Sequence, residues 1–145
     1  MSTARHLTTI DLLCARPFPA EHAGSEVGTS GPGYHLAGLA IGESFQEADG
    51  SRRAEEAEQY EAECDALVSV LAARWGEPQP VSLWSTRVRA AEGEEIPEPW
   101  RALSDGIGSA HLWRTGGRWV VLGVYWQGDE HPLRLLVAVT EIDPP

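Results

Sequence analysis

Lysine and asparagine are absent from the 145 residues, so all eleven basic residues are arginine. Both missing residues use AT-rich codons, and their joint absence marks a high-GC genome. The lack of lysine also excludes the GxxxxGK[ST] phosphate loop, whose lysine reaches the nucleotide phosphates. Cysteine is scarce: Cys14 and Cys64 are too few for a disulfide scaffold, and no CxxC occurs. The longest apolar run, residues 119–126, is far short of the ~20 residues a membrane span needs. Residues 1–15 carry polar side chains where the apolar core of a signal peptide would lie. A cytoplasmic protein is expected.

Positive charge is also in deficit. Eleven bases face 22 acids, a net charge of −11. Nucleic acids and anionic membrane surfaces are therefore poor partners, because both are bound through clustered cations. The same excess favours encounter with a basic protein. Catalytic and cofactor patterns are missing too. Gly31-Pro32-Gly33 would need a third glycine at Leu36 to make a dinucleotide fingerprint, and it precedes an expected strand where the fingerprint follows one. The histidines, His6, His22, His35, His111 and His131, include no HExxH pair. GxSxG is absent, and Cys64 falls on an apolar helix stripe where a buried, inert thiol is expected. Sixteen Glu and six Asp offer no identifiable acid–base pair. No enzyme activity, cofactor or metal is expected.

What is present is an α+β pattern over a single domain, residues 1–145. Leu7, Ile10, Leu13 and Cys14 suggest a short helix ended by Pro17 and Pro19. Residues 20–33 are rich in punctuating residues and read as loop, and residues 34–41 as a strand. Asp49 or Ser51 can cap a long helix, with Glu55 and Glu56 favourable to its dipole. Ala57, Tyr60, Cys64, Leu67, Val68, Leu71 and Trp75 step along it by three or four, and Gly76 and Pro78 end it. Residues 81–88 read as a strand, residues 92–99 as an acidic loop, and residues 100–103 as one helical turn. Strands are expected over 109–114, 119–126 and 133–142, the first two joined by the hairpin Thr115-Gly116-Gly117-Arg118. The central one, apolar on both faces, should be an interior strand. These elements assemble as an antiparallel sheet of four to five strands with the one long helix on one face, in two layers.

Six tryptophans are the most unusual feature. Trp75 belongs to the helix stripe, and Trp119 or Trp126 should face that helix. Trp113 with Arg114, and Trp100 with Arg101, are the candidates for an exposed patch, since Trp and Arg dominate binding hot spots. Glu92, Glu94, Glu95 and Glu98 lie in a loop stiffened by prolines, which could present charge to a basic partner at low entropic cost.

Residues 58–145 resemble a type of small acidic protein recurring in Streptomyces-like actinomycetes. The resemblance rests on Ala72-Ala73-Arg74-Trp75-Gly76-Glu77-Pro78, Ile96-Pro97-Glu98-Pro99-Trp100, His111-Leu112-Trp113-Arg114 and the closing Val139-Thr140-Glu141-Ile142-Asp143-Pro144-Pro145. In size and charge such proteins are similar to the immunity proteins that neutralise polymorphic toxins. The implied function is non-catalytic: occlusion of a basic toxin by an acidic surface with one or two Trp anchors. The alternatives are a secretion chaperone or adaptor that binds another chain, for which a long exposed edge strand would speak, and a small-molecule sensor with a pocket between helix and sheet.

Overall fold

A computed structural model describes residues 3–24, 28–41, 50–127 and 132–145. Its elements run α1 (Thr3–Ala15), β1 (Ala23–Gly24), β2 (Gly28–Gly31), β3 (Tyr34–Ile41), α2 (Gly50–Trp75), β4 (Gln79–Ser82), α3 (Leu83–Ala91), α4 (Trp100–Ser104), β5 (Ser109–Thr115), β6 (Arg118–Tyr125) and β7 (Arg134–Thr140). All strands belong to one antiparallel sheet in the order β1-β2-β3-β7-β6-β5-β4.

The expected α+β class holds, but the sheet has seven strands where four to five were expected. The difference lies in residues 20–33, read as loop, which supply β1 and β2. Their glycines serve the pairing itself. A Cβ on Gly28 would collide with the Leu36 carbonyl of the neighbouring strand, so the two backbones meet at a distance only glycine permits. Residues 81–88 are a second departure. The ladder with β5 ends at Ser82–Ser109, where the Gly108 carbonyl accepts the amides of both Leu83 and Trp84 and turns the chain into α3. Val81, Leu83 and Ser85 alternate as a strand would, yet Leu83 and Thr86 are the buried residues, at helical spacing.

The third departure is the number of layers. Strand residues alternate between faces. On one face Trp113, Val120, Leu122, Leu135, Val137 and Val139 pack under Ile10 and Leu13 of α1 and Tyr60, Cys64, Leu67 and Leu71 of α2. On the other, Leu112, Val121, Leu136 and Ala138 pack under Leu83, Trp100 and Leu103 of α3 and α4. The sheet is thus covered by helices on both sides, not by one helix on one side. Each fully buried leucine contributes roughly 1.5–3 kcal/mol relative to exposure.

Other expectations hold. β6 lies between β5 and β7, as its two-sided apolar pattern requires. Gly116 and Gly117 have φ of +58° and +78°, the paired positive values of the tight hairpin. The capping candidate Asp49, and His131, lie outside the described residues.

Candidate functional site

The eight residues singled out from the sequence do not form one surface. Trp100 is fully buried, and its indole N–H donates to the Ile142 carbonyl at 3.0 Å. Trp113 is buried on the opposite face of the sheet, where its N–H donates to the Gly76 carbonyl at 2.9 Å and its ring meets Trp75 edge-on. Neither indole is available to fill a partner's pocket, so the expected anchors are corrected. Arg114 points away from Trp113, as strand neighbours must. Its guanidinium lies 4.6 Å over the Trp119 ring and 3.8 Å from Asp143. Arg101 is exposed at the start of α4.

The acidic loop stays together beside α3. Glu92 caps the C-terminus of α3, Glu94 is ion-paired with Arg89, and the Glu98 carboxylate accepts the Ala102 amide at 3.3 Å. Glu92, Glu94 and Glu95 are exposed. Next to them stands a surface that the strand reading hid. Because 83–91 is helical, Trp84, Arg87, Val88 and Ala91 fall at i, i+3, i+4 and i+7 along one exposed side of α3, beside the buried Leu83 and Thr86. Trp84 is 61% exposed, the Arg87 guanidinium sits 5.8 Å over its ring, and Val88 is 40% exposed. The spacing was legible in the sequence, but the alternation of Val81, Leu83 and Ser85 outweighed it.

A cleft of about 590 Å³ opens on the same side of the sheet, where α4 ends its cover. Leu36, Gly38 and Leu136 form its floor, and Ala102 and Tyr125 its wall. Arg134 stands opposite Ile41 of β3 and Tyr125 of β6, so all three share this side of the sheet at one end of the cleft. Burial raises the Tyr125 phenol above its ordinary range; Asp105 adds to the shift, and Arg134 and Arg87 oppose it. Nothing in the sequence alone singles out Arg134, because its neighbours are set by register.

Buried titratable groups lie on the α1 side. His35, 1% exposed, pairs with Ser30 on the neighbouring strand at 2.6 Å through Nδ1. Its Nε2 lies 3.1 Å from the Arg16 carbonyl, which can only accept, so Nε2 carries the proton and Nδ1 accepts from the Ser30 hydroxyl. Burial holds this imidazole below its usual range, with Arg118 and Arg16 contributing. Among the described residues His6 Nε2 and Glu63 Oε2 are buried without partners, and both residues line a hollow of about 220 Å³ between α1 and α2, room enough for water to satisfy them. Both cysteines are free thiols, and burial, with Glu61 and Asp65 beside it, pushes Cys64 up to about 12. Among the described residues no group of three or more His, Cys, Asp or Glu side chains could hold a metal, and no helix is long and apolar enough to cross a membrane.

No family model, curated protein or solved structure matches this chain.

Proposed function

We propose that this is a non-catalytic protein-binding protein that occludes a basic folded partner, in the manner of a cytoplasmic immunity factor against a basic toxin. The exposed stripe Trp84–Val88–Ala91 on α3 carries the proposal, with Trp84 as the anchor in place of Trp100 and Trp113. An amphipathic helix whose outer face repeats at i, i+4 and i+7 is a standard way to enter a partner's groove. A large exposed indole under a guanidinium is the composition that hot spots favour. Glu92 and Glu95, at the foot of the stripe, supply negative charge for a basic rim and would speed encounter.

The chaperone alternative draws less support. The sheet's edges are β1, two residues long, and β4, four residues long with Pro80 lacking an amide donor. A chain seeking to add a strand finds little ladder on either.

The test is capture from native-host lysate with tagged wild-type protein, Trp84→Ala, and the double variant Glu92→Gln/Glu95→Gln. One dominant basic partner should be retained at low salt and released at high salt. Trp84→Ala should lower retention about tenfold or more, the scale of a hot-spot truncation. The double variant should flatten the salt dependence. Equal retention by all three proteins would remove α3 and its loop from the interface.

A further inference from the structure

We infer that the cleft beside α4 binds a small molecule with an apolar body and one terminal carboxylate. Its volume, about 590 Å³, lies within the roughly 300–1,000 Å³ typical of small-ligand sites. The cavity exists because small residues sit where the sheet would otherwise be covered. Gly38 places no side chain over the floor, and a Cβ built there would meet only the flexible end of Leu136, at 3.8 Å. Ala102 is the short residue with which α4 faces the space. Leu36, Ile41 and Leu136 supply an apolar bed, and Ile41 remains 64% exposed. Apolar surface of this kind gains free energy when a ligand's body displaces water from it.

Charge assigns the ligand's other end. Arg134 lines the cleft at its Tyr125 end. Among the described residues its guanidinium has no carboxylate within ion-pair distance. A guanidinium fork matches a carboxylate through two parallel hydrogen bonds, and the Tyr125 hydroxyl can add a third donor. A multiply charged anion would be repelled by the whole molecule on approach, whereas a monocarboxylate incurs little of that cost. The site uses residues other than the α3 stripe, so it stands or falls separately from the protein-binding proposal.

Octanoate and 1-octanol, titrated calorimetrically into the full chain, separate the two halves of the claim. Octanoate should bind one-to-one with a Kd on the order of 10⁻⁴ M, as expected for a ligand of this size. Octanol, with the same eight carbons and no charge, should bind about tenfold more weakly. Arg134→Gln should bring octanoate down to the octanol value and leave octanol unchanged. Gly38→Leu should fill the floor and abolish both while the thermal unfolding midpoint stays near wild type. If Gly38→Leu is instead unfolded, Arg134→Gln decides alone, since Arg134 is exposed and outside the core. No saturable heat up to millimolar octanoate, equal binding of octanol and octanoate, or undiminished octanoate binding by Arg134→Gln would each overturn the inference.

Discussion

Six tryptophans divide by what surrounds their indole rings. Trp100, Trp113 and Trp119 each donate to an oxygen elsewhere in the fold, the last to Asp143 at 3.0 Å, and so tie the C-terminal segment to α4 and β6 and the end of α2 to β5. Trp84 is left outward by helical geometry alone. Buried histidines show the same dependence on surroundings. His35 is neutral in the folded state because both ring nitrogens are committed and burial disfavours the cation. Burial lowers His6 as well, against an opposing pull from Glu63 and with help from Arg5 and the N-terminus. Unfolded histidines take up a proton near 6.5, the folded ones only at lower pH. Below about pH 6.5 the unfolded chain therefore binds more protons, and stability falls until the lowered folded values are passed. Each histidine can contribute a slope of up to about 1.4 kcal/mol per pH unit in that window. Thermal unfolding between pH 7.5 and 5.0 should show this loss, and His35→Gln should make it shallower. An unchanged slope in that variant would mean that His35 does not resist protonation.

At the scale of elements, α2, β3 and the Thr115–Arg118 hairpin were legible because each carries its own signal: a long stripe at 3.6 spacing, a short run between breakers, and paired glycines. β2 and α3 were not. β2 has the composition of a loop, Gly-Thr-Ser-Gly, and becomes a strand because β3 offers it a ladder. Its pairing depends on Gly28. Gly28→Ala should force the β2–β3 backbones apart and lower stability by about 1–3 kcal/mol, the range for overpacking. Chemical denaturation would measure the loss, and amide exchange should speed up in β2 and β3 before β6. A wild-type midpoint for this variant would show that the two strands can separate without cost. α3 was read as strand because residues 81–85 fit both periods. The tie is broken by the Gly108 carbonyl, which is brought to Leu83 and Trp84 only once β4 has paired with β5.

For the whole molecule, the placement of charge matters more than its sum. Glu58, Glu61 and Asp65 follow one another on the exposed side of α2, while Glu92, Glu94 and Glu95 lie on the α3–α4 layer across the sheet. A partner seated on α3 meets the second group. The first mainly repels itself, since like charges at i, i+3 and i+4 are unfavourable by roughly 0.2–0.5 kcal/mol per pair. Raising salt from about 10 mM to 150 mM shortens the screening length from about 30 Å to about 8 Å. The free protein should therefore gain stability, by about 1 kcal/mol or 2–4 °C in unfolding midpoint, over the same range in which its complex with a basic partner weakens. A midpoint that falls with salt would mean that attractive ion pairs outweigh the repulsion.

The sequence by itself determined the α+β class, the long helix, the β5–β6 hairpin, the interior position of β6 and the acidic character of the surface. Each follows from local periodicity, from turn chemistry or from a count of charges. Tertiary structure alone decided which tryptophans are buried, that helices cover both faces of the sheet, and that Arg134 stands between Ile41 and Tyr125 at the end of a cleft. The physical reason is that a side chain's neighbours are fixed by strand register and by which layer covers it. Register is in turn set by partners far away in the chain, as Arg134 is by Ile41.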